Sequence, residues 1–293
     1  MNKNFFSILS FFWGIFILAP FVHGAEIIVP RIDEKVKKPE PYASFWNNIQ
    51  PVTIDLVAQP IIAPRPEKTT TPELKVKAVH DGDWMAVWLN WKDSEKSDGQ
   101  KVGTFSDAVA IQFPVKAAES PPPVFMGSKE QPVQIFHWRA MFQLDRDVGF
   151  HTMRQIYPNM ISDGYPEDWG TRETREKAKM LSKLTEEQAV GWSSGRLSGN
   201  PQSFRKPNGV DVIFAEGFGS SSVSADLEAE ASGNWKNGEW TVVITRPLNK
   251  DRGSNLHVGE KSVIAFAVWQ GGKREAGSRK SVTMPWTPIS INR

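Results

Sequence analysis

Apolar and polar residues alternate with a period of two along several segments of this sequence. The alternation runs through residues 74–78 and 84–91, and the turn-forming pair Asp81-Gly82 lies between these two segments. In 84–91 one face carries Met85, Val87, Leu89 and Trp91. A period of two places alternate side chains on opposite faces of a strand. The pattern therefore predicts antiparallel strands rather than alternating strand–helix units, and the fold class that we predict is an all-β antiparallel β-sandwich.

Further strands are predicted on both sides of one irregular region. The predicted strands are 53–58, 74–78, 84–91, 107–113, 133–144, 210–218, 223–231, 240–247, 261–269 and 279–291. The dipeptide Asn237-Gly238 favours a tight hairpin between its neighbours. Residues 145–208 lack the alternation, and 171–184 are charged and compatible with a helix. We interpret 145–208 as a partly helical insertion on the surface of the sandwich.

The N-terminal segment has the layout of a secretory signal peptide. Lys3 precedes an apolar run, residues 5–22, which ends in the small residues Gly24 and Ala25. A charged start, an apolar middle and a small-residue exit are typical of a cleaved signal. We therefore predict a signal peptide at 1–24 and export to the periplasm or an equivalent lumen. The alternative is an uncleaved membrane anchor, for which the run is only marginally long enough, and no later segment is predicted to span a membrane.

A proline-rich stretch, residues 25–73, separates the signal from the alternating region. It contains eight prolines and shows little periodicity, apart from the strand predicted at 53–58. We interpret it as an extended arm. Arms of this kind lie against a partner subunit or wrap around their own domain, and the sequence leaves both alternatives open. Residues 74–293 are then the sandwich domain, including the insertion at 145–208.

Composition excludes several functional classes. The net charge is +2 and becomes about +1 without Lys3, which argues against a nucleic-acid-binding protein. The chain has no cysteine, which excludes disulfides, thiolate metal sites, cysteine-held iron–sulfur clusters and covalent c-type haem. The histidines lack the spacing of zinc hydrolases, and no nucleophile or phosphate-loop motif is present. His137 falls in a predicted strand, and we interpret it as a hydrogen-bonded core or surface histidine rather than a ligand.

A methionine beside a glycine marks the candidate site. A proline run at 121–123 interrupts regular structure, and Phe125-Met126-Gly127 then presents a thioether next to a residue without a side chain. A methionine held in such a turn can approach a buried flat ligand closely. The second candidate segment lies near the C-terminus, around Lys280. A single methionine is usually core filler and a lysine near the end of a chain is usually solvated, so the two residues alone leave the site open.

Several stretches resemble the haem-binding γ subunit of the type II dimethyl sulfoxide reductase family of molybdenum enzymes. That family serves ethylbenzene and dimethyl sulfide dehydrogenases and selenate, chlorate and nitrite-oxidising enzymes. The stretches that carry the resemblance are 81–82, 88–93, 105–114, 125–127, 132–140, 265–271 and 280–282 with Trp286. Each motif is short, but their order and spacing together are specific. They cover most of residues 74–145 and 210–291.

The resemblance implies a β-sandwich that holds one haem b between an axial methionine and an axial lysine, which map onto Met126 and Lys280. Iron with two protein ligands and no open position favours electron transfer over oxygen chemistry. The resemblance thus implies a non-catalytic electron-transfer subunit of a molybdenum enzyme. It would relay electrons between the iron–sulfur β subunit, which adjoins the catalytic α subunit, and an external carrier such as a soluble cytochrome c. The long insertion at 145–208 favours an enzyme of the nitrite oxidoreductase type.

The surroundings of such a haem are less well defined by the sequence. Aromatic walls are expected from the strand at 84–91, from Trp138 or from Trp269. Arg139 and Arg279 are candidate partners of the haem propionates. The nearest substitutes for the two axial residues are Lys273 and Met284.

A second hypothesis from another functional class is an exported carbohydrate-binding module. The chain contains twelve tryptophans and only three tyrosines. Tryptophans on an exposed face of a β-sandwich stack on sugars, whereas buried tryptophans belong to a core or to a cofactor pocket. The location of the tryptophans therefore discriminates between the two hypotheses.

Overall fold

The computed structural model describes residues 26–99, 101–116, 120–149, 156–159, 206, 208–224, 228–249 and 253–293. The predicted signal peptide and most of the predicted insertion lie outside these residues. The strands of the described part are β1 Ile27–Val29, β2 Val52–Asp55, β3 Val57–Ala58, β4 Glu73–His80, β5 Trp84–Lys92, β6 Ala108–Pro114, β7 Val133–Arg139, β8 Val210–Ala215, β9 Ser222–Ser224, β10 Glu230–Lys236, β11 Glu239–Pro247, β12 Lys261–Trp269, β13 Ser281–Val282 and β14 Thr287–Ile291. An α-helix, α1, spans Ala140–Val148, and short 3₁₀ helices span Ser44–Asn48 and Gly271–Lys273.

The strands form two sheets that pack as a sandwich. The larger sheet has nine strands in the order β1-β14-β12-β6-β7-β8-β9, with β13 bonded to β12 and to β3. The smaller sheet has five strands in the order β10-β11-β5-β4-β2. Neighbouring strands are antiparallel, except that β1 runs parallel to β14. The predicted all-β antiparallel β-sandwich is confirmed.

The inner faces of the two sheets form one hydrophobic core, as the alternation in the sequence requires. The predicted inward face of β5, from Met85 to Trp91, is buried in this core. Three tryptophans meet at its centre, where the ring centroids of Trp138 and Trp240 are 4.9 Å apart and Trp91 lies 6.3 Å from each. Burying aromatic rings of this size removes a large apolar area from water. The outward residues of β6, β7 and β12 are consequently free to form a second environment on the other side of the larger sheet.

The described part of the N-terminal arm wraps around its own domain. Val36 and Trp46 are buried against Ala86 and Val243 on the outer face of the smaller sheet. Polar contacts support the packing, because the Lys77 amine donates a hydrogen bond of 2.8 Å to the carbonyl of Trp46. β1 adds a strand to the edge of the larger sheet. Of the two alternatives that the sequence left open, the structure shows the arm on its own sandwich.

Five predicted strands are wrong in extent. The strand predicted at 133–144 ends at Arg139, and α1 follows directly. The strand predicted at 279–291 consists of β13 and β14, and the one predicted at 223–231 is replaced by β9 and the start of β10. The strand predicted at 53–58 is divided between β2 and β3 in different sheets, and the one predicted at 210–218 ends at Ala215. The first error has a clear cause. The amide N–H groups of Ala140 and Met141 donate to the Asp107 carbonyl and the Ser106 hydroxyl, contacts distant in sequence that turn the chain into a helix.

A pair of buried carboxyl groups lies where the two sheets meet, next to the tryptophan cluster. Asp93 follows β5 and Asp107 precedes β6, and both are almost completely buried. Asp107 accepts hydrogen bonds from three donors, the backbone N–H groups of Ser97 and Gly271 and the indole of Trp240. Burial, followed by the charge of Asp107, raises the pKa of Asp93 to about 7. Burial also raises the pKa of Asp107. The donors favour charge on Asp107, so we assign the retained proton to Asp93.

We expect Asp93→Asn to remove part of a pH dependence of stability. An unfolded aspartate has a pKa of about 3.9, whereas Asp93 in the folded protein has a pKa of about 7. Between these values the folded state holds a proton that the unfolded state has released, so the free energy of unfolding falls as pH rises. From about pH 5 to about pH 8, the free energy of unfolding of the variant should rise by about 1–3 kcal/mol relative to that of the wild-type protein. Urea unfolding at both pH values measures this gain, and an equal difference between the proteins at both would contradict it.

Candidate functional site

A cavity of about 380 Å³ lies on the outer face of the larger sheet. Its floor consists of outward-facing residues of β6, β7 and β12, and its walls come from four loops that cross this face. The floor residues are Ala110, Gln112, Ile135, His137, Ala265, Ala267 and Trp269. Ligand pockets of proteins commonly have volumes of about 300–1,000 Å³ and mostly apolar walls. This cavity falls within that range of volume, and its walls are mostly apolar.

Small side chains make room above the sheet. Ala110 on β6 is the direct cross-strand neighbour of Ala267 on β12, and both line the cavity. The inward neighbours of these alanines are large, since Ile111 and Phe266 fill the core. Alternation of large inward and small outward residues on the same strands therefore gives the sheet a full core on one side and an open floor on the other.

Met126 reaches the cavity wall from the loop between β6 and β7. Its backbone is held on both sides, because the Met126 carbonyl accepts a 2.8 Å hydrogen bond from the N–H of Gly217 and the Gly127 N–H donates to the Pro123 carbonyl at 3.0 Å. The side-chain amide of Gln112 on the floor donates to the carbonyl of Val124 at 2.8 Å. The predicted turn beside a glycine is thus present, and it is tied to the sheet below it.

The backbone of this turn adopts a left-handed conformation at two successive residues. Met126 has φ 65° and Gly127 has φ 67°. Such a conformation is uncommon for a residue with a side chain and costs of order 1–3 kcal/mol. A Cβ atom at Gly127 would lie 2.6 Å from the carbonyl oxygen of Gln131, so only glycine fits there. Strain of this kind concentrates at functional sites, and here it aims a thioether at the cavity.

Lys280 lies on another wall of the same cavity, immediately before β13. The Lys280 carbonyl accepts a hydrogen bond from the N–H of Gln59 at 3.0 Å. Gln59 is buried, and its side-chain amide donates to the carbonyls of Ile62 and Ser278. β13 itself is held between β12 and β3. The backbone that carries Lys280 is therefore fixed from both sides, and the N-terminal arm contributes one of those sides.

The amine of Lys280 lies in a desolvated environment. Its nitrogen is 4.8 Å from the centroid of the Trp269 ring. Burial lowers the pKa of Lys280 to about 8, from an ordinary value of 10.5. A lysine binds a metal only as the neutral amine, so this lowering favours the form that can act as a ligand. Among the described lining residues, Lys280 supplies the amine.

His137 also lines the cavity, which the sequence analysis did not anticipate. Its ring packs against Trp269 with centroids 4.8 Å apart. The Nδ1 atom lies 3.5 Å from a guanidinium nitrogen of Arg139, whereas Nε2 is buried and has no hydrogen-bond partner. Burial, followed by the charges of Arg139 and Lys280, lowers the pKa of His137 well below its usual value. The imidazole is therefore neutral, and one of its nitrogens lacks a partner within the protein.

The structure selects among the other candidates for this site. Trp269 lines the cavity, whereas Trp138 lies in the core and the strand at 84–91 belongs to the other sheet. Arg139 lies behind His137, and neither it nor Arg279 lines the cavity. Met284 and Lys273 are exposed and do not line the cavity. The sequence motifs did contain His137 and Ala267, but nothing in their local pattern distinguished the cavity face from a solvated one.

The location of the tryptophans bears on the carbohydrate-binding hypothesis. Among the described residues, each tryptophan is buried or half-buried, and none is exposed. Trp84 and Trp88 lie on the outer face of the smaller sheet, but they pack against the arm. The described tryptophans therefore do not form the exposed stacking face that this hypothesis requires.

Two negative observations concern the described residues alone. No helix in this part of the chain is long and apolar enough to cross a membrane. The same residues contain no cluster of three or more histidine, aspartate or glutamate side chains able to hold a metal ion.

Comparison with protein families gives one match that spans most of the chain. The sequence model of a family described as ethylbenzene dehydrogenase matches residues 43–281. This range includes both Met126 and Lys280, together with the residues of the cavity floor.

Two curated relatives are 26% identical to this chain. One, from Haloferax mediterranei, is named as a respiratory nitrate reductase heme subunit, and the match covers 88% of this chain and 70% of the relative. The other is the chlorate reductase subunit gamma of Ideonella dechloratans, with 74% of this chain and 64% of the relative covered. A solved structure, a family 9 carbohydrate-binding module from Caldicellulosiruptor kristjanssonii, aligns at 10% identity and a TM-score of 0.39 over 92% of this chain and 97% of that one.

Proposed function

This chain belongs to the ethylbenzene dehydrogenase family, and from that premise we propose that it is a haem-carrying electron-transfer subunit of a molybdenum oxidoreductase. The observation that carries the proposal is the meeting of Met126 and Lys280 at one cavity. The two residues come from loops far apart in the sequence, and each is fixed by backbone hydrogen bonds. The assignment of these two residues as axial ligands is part of the proposal.

The residues of the cavity fit a haem. The walls supply one thioether and one amine whose pKa burial has lowered to about 8, a donor set suited to low-spin iron. The floor is apolar and flat over Ala110 and Ala267. The chain has no cysteine, so attachment of the haem would be non-covalent. We propose that the group is haem b, with one per chain. When bound, haem supplies reversible one-electron iron chemistry.

The protein's own role is to bind, desolvate and orient that group. Met126 and Lys280 would hold the iron, which would leave no open position for substrate or oxygen. A thioether ligand favours the reduced iron, so a high potential is expected. Trp269 and the apolar floor exclude water from the cavity, which supports the same preference. The subunit is therefore an electron relay without a catalytic residue of its own.

Finer proposals concern the complex. The relatives are named for nitrate and chlorate enzymes, which supports a parent enzyme acting on an oxyanion. Among enzymes that act on oxyanions, the segment 145–208 favours the nitrite oxidoreductase type. We further propose that an iron–sulfur β subunit and a molybdenum-containing α subunit are the partners, and that a soluble cytochrome c is a candidate external carrier.

The location of the complex is a proposal that rests on the N-terminal sequence. Residues 1–24 have the layout of a signal peptide, so the mature chain would be exported and begin near Ala25. Sequencing the N-terminus of the purified protein tests this. An intact Met1 on the mature protein would contradict it.

The first experiment is an optical spectrum of the purified chain, oxidised and then reduced with dithionite. We expect sharp α and β bands of a low-spin haem on reduction, and a pyridine haemochrome of the b type at about one per chain. A chain that stays colourless after addition of haem would contradict the proposed function. A high-spin spectrum would contradict the assignment of two axial ligands.

A further inference from the structure

We propose that His137 donates a hydrogen bond from Nε2 to a carboxylate of the bound haem. The inference rests on the proposed function, because it takes haem as the ligand of the cavity. It assigns a subsite for an anionic group to the part of the cavity that His137, Trp269 and Lys280 form. From the sequence, the expected partners of the haem carboxylates were Arg139 and Arg279.

The tautomer of His137 follows from its neighbour. A guanidinium has donors and no acceptor, so the contact of 3.5 Å between Arg139 and Nδ1 requires a lone pair on Nδ1. The ring is neutral because it is buried and lies beside the Arg139 guanidinium, and a neutral imidazole has one protonated nitrogen. The proton therefore lies on Nε2, which makes that atom a donor.

This donor lacks an acceptor within the protein. Nε2 is buried and makes no hydrogen bond, although almost all buried polar groups in native proteins are hydrogen-bonded. Leaving such a group unpaired costs about 1–3 kcal/mol. His137 lines the cavity, so a ligand in the cavity can supply the missing acceptor.

The charges around His137 favour an anion as that acceptor. Arg139 lies behind the ring, and Lys280 and His137 both pack on Trp269. The cavity lining includes no aspartate or glutamate. An acid on the same face of the sheet is Asp211, the cross-strand neighbour of His137 on β8, and its charge is matched by an ion pair with Lys206 at 2.7 Å. Because Lys280 is neutral as an iron ligand, the positive charge that remains beside His137 is the guanidinium of Arg139, and it favours an anion. The two propionates of haem are the carboxylates that the proposed ligand carries.

The test compares ferric haem with its dimethyl ester, in which both carboxylates are neutral esters. Each is loaded into the full-length protein, and the rate of its loss to excess apomyoglobin is measured. His137→Phe keeps a flat ring and removes the donor, so we expect haem to leave about tenfold faster or more. The dimethyl ester keeps only neutral ester carbonyls as acceptors, so His137→Phe should accelerate its loss clearly less than that of haem, by no more than about threefold.

Two further variants serve as controls. His137→Gln retains an N–H donor and should recover part of the haem retention. His257→Phe makes the same substitution at an exposed histidine outside the cavity and should release both porphyrins as the wild-type protein does. Equal acceleration of both porphyrins by His137→Phe would overturn the inference, because it would show lost packing rather than a lost hydrogen bond. Failure of the wild-type protein to bind either porphyrin would instead overturn the proposed function.

Discussion

Met126→Ala and Lys280→Ala should each eliminate the six-coordinate low-spin spectrum of the haem-loaded protein. Each substitution removes one donor from the cavity wall and leaves a methyl group that cannot bind iron. The backbone that carries each residue is held by hydrogen bonds from Gly217 and from Gln59, so neither variant should collapse the wall. We expect high-spin bands in both variants, and haem should dissociate from both faster than from the wild-type protein.

Matched controls are available for both substitutions. Met284→Ala and Lys273→Ala remove the same types of side chain at exposed positions close to Lys280 in the sequence but outside the cavity lining. Their spectra should equal that of the wild-type protein. Unchanged ligation in both Met126→Ala and Lys280→Ala would refute the proposed ligand pair. A changed spectrum in only one of them would leave the other position to a residue that remains to be found on the cavity wall.

The sandwich could be predicted from the sequence because its pattern is local. The inward face of β5 repeats every second residue, and burial of that face between two sheets follows directly from the pleat. The end of β7 could not be predicted in this way. The alternation continues past Arg139, and only contacts of Ala140 and Met141 with Asp107 and Ser106 turn the chain into α1.

The candidate site was less accessible to sequence reasoning than the fold. Met126 and Lys280 became candidates through resemblance to a family, since no local pattern pairs residues so far apart. The position of His137 at the cavity was not predicted, because an outward position on a strand usually faces solvent. Here loops from four parts of the chain cover that outward face, and only their tertiary arrangement turns it into a cavity. Long-range packing of this kind leaves no signature in a single sequence.

A substitution on the cavity floor should reduce haem uptake without changing the stability of the fold. Ala267 faces outward from β12 beside Ala110, and its inward neighbours Phe266 and Val268 fill the core. Ala267→Phe places an aromatic ring in a space of about 380 Å³ without touching the core. We therefore expect the variant to fold and to lose haem uptake by at least about 100-fold, since a ring at the floor occupies the volume that the ligand requires.

The control for this substitution keeps the floor open. Ala267→Ser changes polarity with little change in volume, and it should retain haem uptake within about threefold. Thermal unfolding of both variants without haem should give midpoints within a few degrees of the wild-type value, because neither side chain enters the core between the sheets. Normal haem uptake by a folded Ala267→Phe protein would show that the ligand lies elsewhere. The same result would remove the support that the shared cavity gives to Met126, Lys280 and His137, because all three assignments depend on one ligand filling this space.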